Sequence, residues 1–160
     1  MPIDLNADLG AGCGGWSDDT DRTVLRLATS VAVPCGAHVG DPVSMQGACG
    51  AAAASGLAVG ALVGYRDPFG RGERFIDYAP DDLAVEILYQ LAALDGIAVT
   101  EGTRISFVRP AGALFDMVHT DRYHAWALVN AVLDYDPGLG VVGLRGASCC
   151  GRRNGTASPA

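Results

Sequence analysis

The sequence predicts an α/β fold built on a parallel sheet. Short apolar segments of strand character alternate with segments that carry helix caps and helical periodicity, through most of the chain. Polar residues also follow directly after several of the apolar segments. Strands that alternate with helices pair in parallel through right-handed crossovers. A doubly wound sheet and a β/α barrel are both compatible with this pattern.

The first predicted strand, Ile3–Leu9, carries a polar residue at every second position. These residues are Asp4, Asn6 and Asp8. Residues two apart in a strand share a face, so we expect the apolar residues between and around them, Ile3, Leu5, Ala7 and Leu9, to pack on the opposite face. Such a polar face indicates either an exposed edge strand or a face that looks into a site.

The next elements follow from caps and apolar runs. Asp41 is an N-cap and Pro42 suits the first position of a helix. The predicted elements are a helix from Asp18–Asp21 through Val24 to Ala28, a strand over Val31–Cys35, a helix from Asp41 to Gly56, a strand over Leu57–Val63, a glycine-rich loop from Gly64 to Arg74, a helix from Pro80 through Leu94, a strand over Ile105–Val108, a helix over Asp121–Leu133 and a strand over Gly140–Leu144. His119 and His124, near the start of the last helix, are predicted to be surface residues.

Composition predicts one cytoplasmic globular domain. The chain has 160 residues, 49% of them hydrophobic, with a formal net charge of −7. This charge argues against nucleic acid or an anionic membrane surface as a partner. We expect no signal peptide and no membrane span. The five cysteines show no CxxC spacing, which argues against structural zinc and indicates reduced thiols.

Chemically capable side chains cluster after the predicted strands. They are Asp8, His38, Tyr65, Asp67 and Arg109. In α/β folds the functional groups sit at the C-terminal ends of the strands. A carboxylate and a histidine that converge there could activate water as a general base, or bind a metal if a third ligand were present. Arg71 in the glycine-rich loop could clamp a carboxylate or phosphate, or be an ordinary solvated surface charge.

Four blocks of the chain resemble one family in the same order. The blocks are Asp4-Leu-Asn-Ala-Asp-Leu-Gly10, Ser30-Val-Ala-Val-Pro-Cys-Gly-Ala-His-Val-Gly-Asp-Pro42, Val59-Gly-Ala-Leu-Val-Gly-Tyr-Arg-Asp67 with Gly70-Arg71, and Val108-Arg-Pro-Ala-Gly-Ala-Leu-Phe115. They resemble the lactam-utilisation family, understood as the A subunit of the prokaryotic ATP-dependent 5-oxoprolinase. The resemblance covers residues 1 to about 147.

The resemblance implies a fold and an activity. The fold would be a distorted seven-stranded β/α barrel of the glycoside hydrolase/deacetylase type, of which residues 1–147 are the N-terminal part, with the C-terminal strands missing. The activity would be the cleavage of 5-oxo-L-proline to L-glutamate, together with the B and C subunits. ATP would be handled by those partners, because the chain has no phosphate-binding loop of the Gly-x-x-x-x-Gly-Lys-Ser/Thr type. No metal is predicted.

The family blocks also suggest roles for individual residues. Asp8 and His38 are the candidate catalytic residues. The candidate substrate-binding residues are Asn6, Asp41, Tyr65, Asp67, Arg71 and Arg109.

Three departures from the family pattern predict impaired catalysis. The family has glutamate where this chain has Ala11, and histidines where it has Leu62 and Ala111. Aliphatic side chains can neither transfer protons nor bind a metal. Two alternatives are therefore a catalytically inactive truncated remnant and a metal-dependent deacetylase or amidohydrolase of the same superfamily. One histidine and one aspartate are too few ligands for the latter.

The last residues depart from the family in a different way. All 11 basic residues are arginine, which suggests a GC-rich gene. Residues 147–160, back-translated with GC-rich codons and read from the third base, give an amphipathic helix pattern that resembles the family. We therefore expect residues 148–160 to be an out-of-frame, unstructured tail that follows a frameshift.

Overall fold

A computed structural model describes residues 3–12 and 19–145, which form a parallel sheet with helices packed against it. The strands are β1 (Asn6–Asp8), β2 (Ser30–Pro34), β3 (Ala58–Val63), β4 (Ile105–Pro110) and β5 (Gly140–Val141). The helices are α1 (Asp19–Leu27), α2 (Pro42–Ala54), α3 (Pro80–Thr100), α4 (Gly112–Thr120) and α5 (Arg122–Tyr135). The expected out-of-frame tail, 148–160, lies outside the described residues.

The strand order identifies the kind of α/β fold. The sheet runs β1-β2-β3-β4-β5, and every neighbouring pair is parallel. A doubly wound sheet reverses its strand order at a switch point, whereas successive neighbours are typical of a barrel. The predicted α/β fold is confirmed, and its order agrees with part of a β/α barrel. Five strands lie in the described residues, so the number seven stays a prediction.

The two faces of the sheet differ in character. One face carries small apolar side chains that join a buried core with the helices, namely Val31, Val33, Val59, Ala61, Val63 and Val108. By register, the other face carries residues such as Asn6, Ala32, Leu62 and Arg109. The helices thus cover the first face, and the second face is available for a site.

The first strand is shorter than predicted, and part of its apolar face is exposed. Strand pairing begins only at Asn6, and Ile3 and Leu5 are 87% and 54% exposed. Leu9, in contrast, is fully buried. The segment after β1 packs on α2, where Gly10 lies against Ala48, whereas the start of the strand lies away from this contact. The prediction that Ile3 and Leu5 pack on an apolar face was therefore wrong.

Helix α4 was not predicted from the sequence. It begins without a side-chain cap, after Ala111, and its first residue is Gly112 with a φ of 50°. No conventional start signal marks such a helix. Its apolar residues Leu114 and Val118, four positions apart, are both buried.

The surface prediction was wrong for His124, whereas His119 is partly exposed. His124 is only 5% exposed, and its Nδ1 lies 3.1 Å from Asp121 Oδ1. His119 is half-buried, and its Nε2 accepts a hydrogen bond of 2.8 Å from the Leu144 amide. Both histidines lie in the region where α4 meets α5, so the missed helix explains the error.

Helix α3 is long and apolar enough to pass a length-and-composition test for a membrane span. Its buried residues, which include Leu83, Ile87, Leu91 and Leu94, belong to the same core as the sheet. This packing is that of a core helix in a globular fold.

Candidate functional site

A cavity of about 770 Å³ lies at the C-terminal ends of the strands. Its polar and charged lining comes from Asp8, His38, Arg71, Glu73, Arg109 and Asp116. Four of these were predicted as site residues from the sequence: Asp8, His38, Arg71 and Arg109. The structure therefore brings residues from all four family blocks to one place.

Arg109 on β4 connects to the polar face of β1 in the cavity wall. Its Nη1 donates to Asn6 Oδ1 at 2.7 Å, and its Nη2 donates to the carboxylate of Asp8. Asn6 Nδ2 in turn donates to Ser30 Oγ at 2.8 Å, and Ser30 Oγ donates to Asp4 Oδ2 at 2.7 Å. Asn6, predicted to bind substrate, thus supports Arg109 and is not itself part of the cavity lining. The polar face of the first strand belongs to a hydrogen-bonded network on the face of the sheet that bears the cavity.

His38 is held tightly between two glycines. Its side chain is buried, with only 4% of the residue exposed. A Cβ atom at Gly64 would lie 2.6 Å from His38 Nδ1, and one at Gly72 would lie 3.0 Å from His38 Cβ. No described residue forms a hydrogen bond with Nδ1. A side chain at position 64 would therefore displace the imidazole ring, and one at position 72 would crowd His38 and adopt a φ of 79° that favours glycine.

Burial and charge keep His38 neutral. Burial lowers the pKa of His38 to about 4, and the nearby guanidinium of Arg71 contributes in the same direction. A buried imidazole is costly to protonate because its cation loses hydration. At neutral pH His38 is therefore an uncharged ring, which is the protonation state that a general base requires.

Two further predicted substrate-binding residues have structural contacts instead. Asp41 caps α2 and accepts 2.9 Å hydrogen bonds from the amides of Val43 and Ser44. Tyr65 is fully buried and stacks on Tyr78, with 6.0 Å between the ring centroids. Neither side chain lines the cavity, so the structure does not place them in the predicted binding role.

Asp67 is also engaged elsewhere. Its buried carboxylate pairs with Arg74 and accepts a 2.9 Å hydrogen bond from the Gly70 amide. The hydrogen bond from Arg74 and that from the Gly70 amide lower the pKa of Asp67 to about 2. Asp67 therefore organises the glycine-rich loop and does not face the cavity.

The three positions at which the resemblance implies departures from the family pattern fall in the cavity wall. Ala11, Leu62 and Ala111 all line it, beside Asp8 and His38. Leu62 pairs with Arg109 across β3 and β4, and Ala111 precedes α4. The three aliphatic side chains are therefore grouped around one site.

Helix α4 adds residues that sequence reasoning missed. Phe115 and Asp116 line the cavity from this helix, and Glu73 lines it from the loop. The buried pair Leu114 and Val118 was the available signal, since a four-residue spacing marks one helix face. Within residues 3–12 and 19–145, no group of three His, Cys, Asp or Glu side chains is arranged to hold a metal ion.

Comparison with known proteins identifies one family over nearly the whole chain. The model of the LamB/YcsF family matches residues 3–156. The chain is 47% identical over 145 residues to the 5-oxoprolinase A subunit of Mycolicibacterium gilvum (strain PYR-GCK), covering 91% of this chain and 58% of that protein. It is 46% identical over 146 residues to the 5-oxoprolinase A subunit of Nocardia farcinica (strain IFM 10152), again covering 91% and 58%.

A solved structure agrees at the level of the fold. The lactam utilization protein from Thermus thermophilus superposes with a TM-score of 0.91 and 37% sequence identity, over 96% of this chain and 62% of that one. The chain thus spans less than two thirds of the length of these relatives. With the family model matched over nearly all its residues and the relatives this similar, the chain belongs to the LamB/YcsF family.

Proposed function

We propose that this chain is a protein like the A subunit of 5-oxoprolinase, which binds a small lactam in its cavity and has an impaired catalytic step. The reaction of the whole assembly would be ATP-dependent cleavage of 5-oxo-L-proline to L-glutamate, with the B and C subunits, in the cytoplasm. The observation that carries the proposal is the convergence of Asp8, His38, Arg71 and Arg109 on one cavity at the strand ends.

The chemistry asks for activation before hydrolysis. An unstrained five-membered lactam is a poor electrophile, and transfer of a phosphoryl group from ATP to its oxygen would supply a leaving group. We assign that step to the partner subunits. In this chain, neutral His38 is the group that can take a proton from attacking water. Arg109, fixed by Asp8 and Asn6, provides a positioned positive charge in the wall.

Impairment follows from the composition of the wall. By resemblance, a glutamate and two histidines would stand at Ala11, Leu62 and Ala111, and all three positions face the cavity. Loss of one general acid or base costs on the order of 10²–10⁴ in rate. The apolar replacements leave room for a ligand, so binding is expected to persist while turnover is lost.

An inactive protein that only contacts a partner is the second candidate function. The replacements in the cavity wall favour it, but the intact network of Asn6, Asp8 and Arg109 favours a retained ligand site. The metal-dependent deacetylase alternative lacks support, because the described residues offer no three-ligand cluster.

The test combines binding with turnover. Calorimetry with 5-oxo-L-proline should show binding to this chain, and binding should disappear in Arg109→Ala. Glutamate release should not exceed a control that holds ATP and 5-oxoprolinase B and C subunits alone, whereas the A subunit of Mycolicibacterium gilvum should restore it. Absence of any binding would refute the lactam site, and glutamate release by this chain would refute the impairment.

The converse substitutions isolate the three departures. Alanine, leucine and alanine can be placed in the Mycolicibacterium gilvum A subunit at the positions aligned with Ala11, Leu62 and Ala111. We expect that variant to fold, to bind 5-oxo-L-proline and to release no measurable glutamate. Normal turnover would show that these positions are not essential.

A further inference from the structure

We propose that Arg71 is the residue that binds the carboxylate of the ligand, and that Asp67 and Arg74 are positioning residues which hold it in place. The chemical class of the ligand is then a lactam that bears a carboxylate, in preference to a neutral lactam. The choice of a lactam rests on the proposed function, whereas the role of Arg71 rests on the geometry of its loop.

Arg71 has a backbone conformation that is unusual for its residue type. Its φ is 55°, and it is the only non-glycine residue with a positive φ in the described part of the chain. Side chains with a Cβ are disfavoured in this left-handed region, and such residues are concentrated at functional sites. Gly70 and Gly72 flank it. A third glycine would suit the backbone better, so the arginine side chain is present at a conformational cost.

The turn that holds Arg71 is closed by its own hydrogen bonds. Asp67 Oδ1 accepts from the Gly70 amide at 2.9 Å, and the Asp67 carbonyl accepts from the Gly72 amide at 3.1 Å. Arg74 Nε lies 3.1 Å from both carboxylate oxygens of Asp67. One buried carboxylate therefore ties both sides of the turn together, with Arg71 at its tip.

Neighbouring elements fix the same turn from outside. The Gly72 carbonyl accepts a 2.9 Å hydrogen bond from the Ala113 amide at the start of α4. A Cβ at Gly112 would overlap the Gly72 carbonyl, and one at Gly72 would lie 3.0 Å from His38 Cβ. The turn is thus packed between His38 and α4, and Arg71 lies in the cavity wall.

The charges in the wall leave Arg71 available. Arg109 is already paired with Asp8, whereas Arg71 forms no hydrogen bond or ion pair with any residue in the described ranges. Among charged side chains, Arg71 is the one whose field acts on His38. Glu73 and Asp116 also line the cavity. A ligand carboxylate would be repelled by these two acids and attracted by the Arg71 guanidinium, which can accept it in bidentate geometry.

The test compares 5-oxo-L-proline with 2-pyrrolidinone, the same ring without the carboxylate. In Arg71→Ala, calorimetry should show binding of the acid weakened by about 10–100-fold, since a charge-assisted hydrogen-bonded pair is lost. Binding of 2-pyrrolidinone should change less than about twofold. Arg66→Ala is the matched control, because Arg66 is an exposed arginine that pairs with Glu86 and does not line the cavity.

The positioning role of Asp67 and Arg74 is tested by a measurement other than the affinity for the ligand. The pKa of His38, followed by NMR, should rise in Arg71→Ala because a nearby positive charge is removed, and it should rise in Asp67→Asn because the turn loosens. Arg74→Ala is a second variant that releases the same turn from an exposed position. If both Asp67→Asn and Arg74→Ala bind the acid normally and leave the His38 titration unchanged, the positioning role is refuted.

The outcomes of these experiments distinguish a failure of this inference from a failure of the proposed function. Arg71-independent binding of 5-oxo-L-proline would overturn the inference and keep the lactam site. If neither lactam binds but acetate shifts the His38 resonances in the unmodified chain and not in Arg71→Ala, the lactam proposal fails and the carboxylate site stands. No carboxylate response at all would overturn the inference.

Discussion

Arg109 on β4 donates a hydrogen bond to the carboxylate of Asp8 on β1, although β2 and β3 lie between these strands. Neighbouring strands are about 4.8 Å apart, so a flat sheet would separate β1 from β4 by roughly 14 Å. The side chains can meet only because the sheet curves around the face they share. This ion pair therefore reports the barrel-like curvature that forms the cavity.

The pair across the sheet should show a modest coupling energy. In a double-mutant cycle of Asp8→Ala and Arg109→Ala, we expect about 0.5–1 kcal/mol in the free energy of unfolding, because Asp8 is half exposed and solvent screens its charge. The measurement is urea unfolding of the four proteins at low salt and at about 0.5 M salt. The coupling should shrink as salt rises. A coupling of zero at low salt would contradict a curved sheet held together by this contact.

Local signals predicted most of the elements, while the site depended on long-range contacts. Asp41 and Pro42 predicted the start of α2 correctly, because a cap acts on the amides next to it. Helix α4 was missed because Ala111 supplies no such cap. The contact between Asp8 and Arg109 joins residues that are distant in sequence, and no local pattern encodes it.

The candidate site was predicted only in part, because the direction of each side chain also depends on long-range contacts. His38 and Arg71 were identified as site residues, and both line the cavity. Tyr65 and Asp67 follow a strand end in the same way, but one side chain joins the aromatic packing and the other ties a turn. Position after a strand indicates the correct end of the sheet. It does not determine which side chains turn inward.

A side chain added at Gly60 should be tolerated only if Phe107 is made smaller at the same time. They are partners in the register of β3 and β4, and a Cβ at Gly60 would overlap the Phe107 ring. We expect Gly60→Ala to lower the free energy of unfolding by about 1–3 kcal/mol through overpacking. Adding Phe107→Leu should recover much of the loss. Thermal unfolding of the single and double variants measures this, and equal stability of Gly60→Ala and the unmodified chain would show that the ring moves away freely.

Stability should fall between pH 6.5 and 4 because of His38. Its pKa in the folded chain is about 4, below its usual value of 6.5, so the unfolded state binds the extra proton first. The stabilisation is complete above pH 6.5 and is lost as the pH falls toward 4, by up to about 3 kcal/mol. Urea unfolding at about pH 7, 5.5 and 4 measures it.

The matched variants for the pH dependence are His38→Gln and Asp67→Asn. The first should abolish the loss of stability between pH 6.5 and 4. The second should keep only part of it, because the loosened turn raises the pKa of His38 toward 6.5, while Asp67 itself, with a folded pKa of about 2 against a usual 3.8, contributes only as the pH falls below about 4. An unchanged pH profile in His38→Gln would rule out His38 as the cause.

Arg71→Gly should make the chain more stable and a weaker carboxylate binder. Glycine adopts a φ of 55° without the steric cost that a Cβ brings, so we expect a gain of roughly 1 kcal/mol in the free energy of unfolding. For a domain of this size, that gain corresponds to an increase of about 2–4 °C in melting temperature. Arg71→Ala keeps the Cβ and should melt close to the unmodified chain, yet it should lose carboxylate binding to the same degree as Arg71→Gly. Calorimetric melting and 5-oxo-L-proline titrations of the three proteins check both parts. If Arg71→Gly gains no stability, the left-handed turn carries no conformational cost at this position, and the argument that the arginine is kept there for binding loses its basis.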